Sequence, residues 1–263
     1  MTAPRAFAVA VEVIGARADV FCLRGSGARV LRNPLFLVHA AGGAARNFGS
    51  LLWRLGPRAV AVDLPGHGRS PGEAPRAIDE SAAILAAVGR ALDPSGKVVF
   101  GGHSMGAAVA LAAAAASGRA RVAGAVAIAA GARLWIERDL ARLARRDFGG
   151  FLVALAEGGA PRTSVESLRQ AGQETVARDL AASLGFDLIE RARAYGGPLL
   201  VIGGTSDAIA TPENVRALAR SLPAAELVMI EGGGHLLPIE KPDEVAEAIA
   251  RFIEGLDSPS PSR

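Results

Sequence analysis

The chain has 263 residues, 50% of them hydrophobic and 21% charged, a composition that supports a buried core and excludes disorder along its length. Its formal net charge of +3 is not concentrated in any basic run, so the sequence predicts no nucleic-acid partner. A single cysteine, Cys22, excludes an internal disulfide framework and a cysteine-cage metal site, and four histidines leave room for one imidazole-based site. Met1 to Ile14 carries no long apolar run ahead of Glu12, so no signal peptide is predicted. The Ala-rich stretch Met105–Ala116 is shorter than the roughly 20 residues of a spanning helix. The expectation is a cytoplasmic protein with no membrane span.

Phe7–Ile14 and Asp19–Leu23 read as strands joined by a hairpin connection. Pro34–Val38 follows, with Leu35-Phe36-Leu37-Val38 apolar without alternation, as in a strand covered on both faces. A helical stretch near Arg46–Leu55 leads to a second covered strand, Ala59–Asp63. Ile78–Leu92 is helical by the spacing of Ile78, Leu85, Val88 and Leu92. Lys97–Phe100 is a strand, Met105–Ser117 a helix of small residues and Val122–Ala129 a strand. After a gap the pattern resumes with strand Pro198–Ile202, helix Pro212–Ser221, strand Glu226–Ile230 and helix Asp243–Ile253. This alternation predicts an α/β fold: a mostly parallel sheet with helices on both faces, opened by an antiparallel hairpin.

Between Ala132 and Gly197 no strand-like run occurs, and the segment reads as several helices joined at Gly149-Gly150, Gly158-Gly159-Ala160-Pro161 and Gly185. Such an insert between two strands is a lid over a site or packing for a second subunit. The chain is thus divided into a core of residues 1–131 and 198–256, a helical cap at 132–197 and a flexible tail at 257–263.

Gly102-His103-Ser104-Met105-Gly106 fits the Gly-x-Ser-x-Gly pattern, and its setting between Val98-Val99-Phe100 and a helix of small residues is the strand–turn–helix context a nucleophile elbow needs. A serine hydroxyl needs a base, and the base an orienting acid. Gly232-Gly233-Gly234-His235 follows one strand and Gly203-Gly204-Thr205-Ser206-Asp207 another. A parallel sheet gathers loops at the carboxyl ends of its strands, which would unite Ser104, Asp207 and His235.

With these features the sequence resembles the α/β-hydrolase superfamily, of the serine-nucleophile type with a helical cap. His39-Ala40-Ala41-Gly42-Gly43 is similar to the family's His-Gly-x-x-Gly oxyanion loop, and Asp63-Leu64-Pro65-Gly66-His67-Gly68-Arg69-Ser70 to its loop after the fourth strand. The resemblance implies an eight-stranded α/β-hydrolase sheet and makes Ser104 the nucleophile, His235 the general acid/base and Asp207 the orienting carboxylate. It makes the backbone N–H groups of Met105 and Ala41 the oxyanion hole. Ala40 departs from the usual glycine; were its φ positive, the alanine would cost about 1 kcal/mol. His67 and His39 are expected to brace their loops, with His103 beside the serine but outside the proton path. No metal or cofactor is implied.

Within the insert, arginines and acids nearly balance, so the basic helix face around Arg138, Arg142, Arg145 and Arg146 reads as solvated. Ala40, His103, Trp135, Phe148 and Phe151 are the candidate contacts for a small-molecule substrate, and Phe186 and Tyr195 could add to them. The leading function is hydrolysis of a small to medium carboxylic ester, thioester or lactone through an acyl-enzyme on Ser104. A carbon–carbon bond hydrolase, lyase, acyltransferase or perhydrolase would use the same three residues, and a non-catalytic relative would only bind a ligand. Serine at the elbow argues against the haloalkane dehalogenases and epoxide hydrolases of the superfamily, which use aspartate there. Ala107 and Ala108 stand where the menaquinone-pathway synthase has arginine. The oligomeric state is left open.

Overall fold

A computed structural model describes residues 3–13, 16–134 and 138–256. The tail at 257–263 and Trp135 lie outside the described residues. Among the described residues one sheet holds strands β1 (Arg5–Val13), β2 (Ala16–Arg24), β3 (Leu35–Val38), β4 (Ala59–Val62), β5 (Val98–His103), β6 (Val122–Ile128), β7 (Leu199–Gly204) and β8 (Ala225–Ile230). Their spatial order is β1-β2-β4-β3-β5-β6-β7-β8. The β1–β2 hairpin and the β2–β4 pair are antiparallel, and the remaining pairs are parallel. Strand order reverses at β3, whose neighbours β4 and β5 lie on opposite sides. The loops leaving β3 and β5 therefore open beside one another, at the position where open α/β sheets bind ligands.

The non-alternating apolar strands bury both faces. Phe36, Val38, Val60, Val62, Val98 and Phe100 join one core, shared with α2 (Ile78–Leu92) and α3 (Met105–Ser117). Leu35, Leu37, Ala59, Ala61 and Val99 join the other, beneath α1 (Gly49–Leu55). Near-complete burial of α3 explains its composition. Met105 through Ala114 are all buried, and alanines let the helix lie close to the strands it crosses.

Four helices follow β6: α4 (Arg138–Arg146), α5 (Phe148–Glu157), α6 (Arg162–Ser183) and α7 (Leu188–Tyr195). The excursion leaves and returns at one point, where Arg133 bridges Asp187 and the Leu134 N–H donates to the Phe186 carbonyl. Helices α4, α5 and α6 share a small core of Ala144, Phe151, Leu152, Val165 and Val176. Helix α7 instead buries Leu188, Ala192 and Tyr195 in the main core beside α3. Then come α8 (Pro212–Arg220), α9 (Leu237–Glu240) and α10 (Pro242–Gly255), the last packing with α1 beneath the second face.

Several boundaries differ from the sequence reading. Strands β5 and β7 run on through Gly101-Gly102-His103 and Gly203-Gly204, because the ladders to β6 and β8 continue there. Gly149 and Gly150 lie inside the first turn of α5, where the Asp147 carboxylate accepts the Gly150 N–H at 2.8 Å, so the break between helices falls at Asp147. Helix α6 bends at Gly172, whose φ of 82° is non-helical. The short α9 has no counterpart in the sequence reading, being too brief to show a period.

Candidate active site

Ser104 sits on the turn between β5 and α3 with φ 54° and ψ −116°, a conformation that L-residues adopt only under constraint. The constraint is crowding. A Cβ at Gly102 would meet the Gly106 carbonyl oxygen at 2.0 Å, and one at Gly106 would meet the Val38 oxygen at 2.1 Å. Glycine at both flanks lets strand, turn and helix approach closely enough to lift the serine out at the sheet's carboxyl edge. Its N–H is tied to the Ile128 carbonyl at 2.9 Å.

Ser104 Oγ lies 3.1 Å from His235 Nε2, and His235 Nδ1 lies 2.9 Å from Asp207 Oδ2. The other Asp207 oxygen accepts the Ile209 and Ala210 N–H groups at 2.8 and 2.9 Å. An ionised carboxylate satisfies all three donors, so His235 carries its proton on Nδ1 and leaves Nε2 as an acceptor for the serine hydroxyl. Asp207 is fully buried in its side chain, and His235 is 16% exposed. The His235 loop rests on β7 at Gly204, where a Cβ would lie 2.1 Å from the Gly233 oxygen.

His103 lies outside this line but touches it. Its Nε2–H donates to the His235 carbonyl at 2.7 Å, fixing the loop that carries the base. Burial, and next the repulsion it would meet from a protonated His235 ring, push its pKa down to about 3, so it stays neutral.

Ala40 is not at positive φ; in this loop that conformation belongs to Gly42, at 62°. The departure from glycine at position 40 therefore adds no strain. The Ala40 carbonyl accepts both His39 Nδ1–H at 2.8 Å and the Gly43 N–H at 2.9 Å. That carbonyl and the Ala41 N–H belong to one planar peptide, so anchoring the oxygen aims the N–H the opposite way. Among the described residues, no acceptor is assigned to the N–H of Ala41 or to that of Met105 at the start of α3. His39 accepts the Leu64 N–H on Nε2 at 3.2 Å, which makes it a neutral brace between the two loops.

Beside these groups lies a cavity of about 70 Å³ lined by Ala40, Ala41, Phe48, His103, Leu168, Leu236 and Ile239. Ser164, on the first turn of α6, also lines it, and its Oγ is buried without a hydrogen-bond partner. Of the candidates named from the sequence, Ala40 and His103 line it; Ser164, Leu168, Phe48 and Ile239 line it as well, and no motif marks them. Phe148 and Phe151 stack on each other at 5.9 Å within the core of α4–α6 and do not line this cavity. Phe186 and Tyr195 pack against the main core. A wider depression of about 610 Å³, lined by Arg76, Arg145, Gln173, Glu174, Ala177 and Arg178, contains none of the three linked residues. It is charged, open to solvent and partly closed by the Arg178 pairs with Glu73 and Glu174. None of the three linked residues lines the smaller cavity either, but their chain neighbours His103 and Leu236 do, together with Ala41, so the smaller cavity is the one beside the nucleophile.

One further pair was not legible in the sequence. Asp179 on α6 and His67 in the loop after β4 meet at 2.8 Å, both buried. Among the described residues no three His, Cys, Asp or Glu side chains gather to hold a metal ion, and no helix is long and apolar enough to cross a membrane.

Comparison with known proteins shows the family. The profile of the alpha/beta hydrolase family matches residues 35–248. A pimeloyl-[acyl-carrier protein] methyl ester esterase of Xanthomonas campestris is 33% identical over 80% of this chain and 90% of its own. The dihydrolipoyllysine-residue acetyltransferase component of the acetoin cleaving system of Pseudomonas putida is 30% identical, over 92% of this chain and 68% of its own. A thermophilic esterase from Thermogutta terrifontis superposes with a TM-score of 0.78 at 26% identity, covering 95% of this chain and 99% of that one. On the profile match and this degree of identity, the chain belongs to the alpha/beta hydrolase family.

Proposed function

We propose that the protein is a serine hydrolase that cleaves carboxylic esters with a small acyl or alcohol group, and that α4, α5 and α6 form its cap. The observation that carries this reading is the hydrogen-bonded line from Ser104 Oγ through the His235 ring to Asp207, at 3.1 and 2.9 Å. His235 Nε2 takes the Ser104 proton as Oγ attacks the ester carbonyl, and Asp207 stabilises the imidazolium that results. The N–H groups of Met105 and Ala41 hold the tetrahedral oxyanion, each contributing about 3 kcal/mol in sites of this kind. The positive end of α3 supports the same charge. Collapse of the intermediate passes the proton from His235 to the leaving alcohol, and a water activated by the same nitrogen then frees the acid.

Substrate size follows from the cavity. About 70 Å³, walled by alanines, aliphatic side chains, Phe48 and the polar side chains of His39, Asn47, His103 and Ser164, accommodates a few heavy atoms. The Xanthomonas relative is named a methyl ester esterase, which fits a short alkoxy group in this space. A cytoplasmic location suits a chain whose one thiol, Cys22, is buried and pushed up to about 12 by that burial.

The test is hydrolysis of p-nitrophenyl esters from acetate to decanoate by the wild type and Ser104→Ala, with phosphonate labelling alongside. Turnover that peaks at the short esters and vanishes in the variant is expected. A wild type that labels but leaves every ester intact would replace ester hydrolysis by carbon–carbon cleavage, lyase or acyl-transfer chemistry. A wild type that neither labels nor hydrolyses would refute the reading.

A further inference from the structure

Asp179 lies in the half of α6 beyond the Gly172 bend, and its side chain is 4% exposed. A carboxylate is buried at this depth only when its charge is paired and its lone pairs are filled. One oxygen, Oδ2, does both: it accepts the Gly42 N–H at 2.7 Å and faces His67 Nε2 at 2.8 Å. The other His67 nitrogen, Nδ1, faces the Pro65 carbonyl at 3.0 Å. Two acceptors flanking one ring are satisfied together only by the imidazolium, which donates at both ends. Burial alone would lower the His67 pKa, but the hydrogen bond and charge of Asp179, helped by Pro65 and Asp63, raise it above the ordinary histidine value. Its neighbour His39, 4.5 Å away between ring centroids, is the opposite case. One nitrogen of His39 donates and the other accepts, and burial followed by the His67 charge holds it well below the usual range.

The carboxylate thus reaches from the cap into the loop that carries the Ala41 N–H. Gly42 is the next residue, and fixing its N–H fixes the peptide plane after Ala41, just as His39 fixes the plane before it. Helix α6 also covers this loop on its apolar side. A Cβ at Gly42 would lie 2.5 Å from Leu168 Cδ2 and 2.7 Å from Val176 Cγ2. We propose that Asp179 is a positioning residue that makes the oxyanion hole depend on a seated cap: with α6 in place both peptide planes flanking Ala41 are held, and with α6 displaced the plane on its Gly42 side is released. The inference rests on the serine-hydrolase reading and adds to it the part played by the cap.

The experiment compares wild type, Asp179→Asn and Leu152→Ala on the best short p-nitrophenyl ester, with kcat and KM measured across pH and Ser104 titrated by phosphonate. Asn keeps an acceptor oxygen and loses the charge, whereas Leu152→Ala loosens the cap core without touching the loop. Asp179→Asn is expected to lower kcat about tenfold, with KM within about twofold, and still to label to one equivalent per chain. The groups facing His67 are Asp179 from α6, Asp63 and the Pro65 carbonyl from the loop after β4, and His39 from the loop after β3. Wild-type kcat is therefore expected to fall on the alkaline side as His67 loses its proton, and in Asp179→Asn this limb moves to lower pH. An unchanged kcat in Asp179→Asn overturns the inference, as does a loss in Leu152→Ala that falls on KM with kcat unchanged. Should Asp179→Asn fail to fold, the wild-type profile decides alone, and absence of the alkaline limb overturns the inference. A wild type that neither hydrolyses nor labels refutes the serine-hydrolase reading itself, a result distinct from any of these.

Discussion

Replacing Asp207 by Asn tests the proton path most directly, because it changes one atom. The Ile209 and Ala210 N–H groups both point at Oδ1, so the Asn carbonyl oxygen is drawn to that side, and its NH₂ group then faces His235 Nδ1. Two donors cannot face each other, so His235 must move its proton to Nε2. In that tautomer Nε2–H donates to Ser104 Oγ, which it approaches at 3.1 Å, and can no longer accept its proton. The ring stays in place and the base is lost. A wrong tautomer of this kind costs about 10⁴ in kcat, equivalent to about 5.5 kcal/mol of transition-state stabilisation. The assay is kcat and KM on p-nitrophenyl acetate and butyrate, with thermal unfolding as a control. Expected are a loss of that order in kcat, little change in KM, and a melting temperature within a few degrees of wild type, since every hydrogen bond to position 207 is replaced. A variant retaining a tenth or more of wild-type kcat would refute the tautomer argument and the role of His235 as base.

Ser104→Gly removes the side chain from a residue at φ 54° and is expected to abolish turnover while raising stability by about 1 kcal/mol, or about 2–4 °C in Tm; a lower Tm would show that the turn is not strained. Ser164→Ala deletes a buried hydroxyl without a partner, so Tm should rise slightly and KM for the short apolar esters should fall a few-fold, whereas a raised KM would assign the hydroxyl to substrate binding. His103→Leu loses the donor to the His235 carbonyl and should lower kcat about tenfold at constant KM; an unaltered kcat would make that bond incidental. Stability should fall as the pH drops below 6.5, measured by urea unfolding from pH 8 to 4.5. Buried His103 stays neutral down to about 3 and His39 is likewise held down, so the unfolded chain alone binds those protons. His67 acts in the opposite sense: its contribution is fully present below pH 6.5 and is lost as pH rises through its raised folded value. A flat profile between pH 6.5 and 4.5 would refute the neutral assignment of the two buried rings.

What was legible in the sequence depended on how far each signal extends along the chain. Leu35–Val38 and Ala59–Val62 are covered on both faces, so every residue reports the same environment and the strands read off directly. The limits of α2 and α3 agree with the sequence reading because Pro-, Gly- and Ser-containing turns flank them. Glycine misled where it allows close approach instead of a turn. Gly101-Gly102 and Gly203-Gly204 continue their strands because a neighbouring backbone or side chain lies where a Cβ would be, a fact that only the fold supplies. Phe148 and Phe151 do not line the cavity for a related reason: an amphipathic helix shows that it has an apolar face but not whether that face meets a cavity or other helices. Phe148 and Phe151 meet α4 and α6.

The three residues on the hydrogen-bonded line were found because each follows a strand and carries glycines that local geometry requires. Asp179 had no such mark. It sits on a helix among other charged residues, in a segment where acids and arginines nearly balance, and one carboxylate there looks like any solvated side chain. Its partners are a backbone N–H at position 42 and a histidine ring at position 67, both far away in sequence. What distinguishes it is burial, and burial of a helix face in an insert is decided by where the insert docks. The same fact gives the pair its value as a control point. A contact that forms only when α6 is docked can report docking to the loop that carries the Ala41 N–H, whereas groups fixed by the sheet, such as Met105 and His39, cannot. On this proposal one half of the oxyanion hole is built by the core and the other is aimed partly from the cap, so cap variants should change kcat even where they touch no substrate.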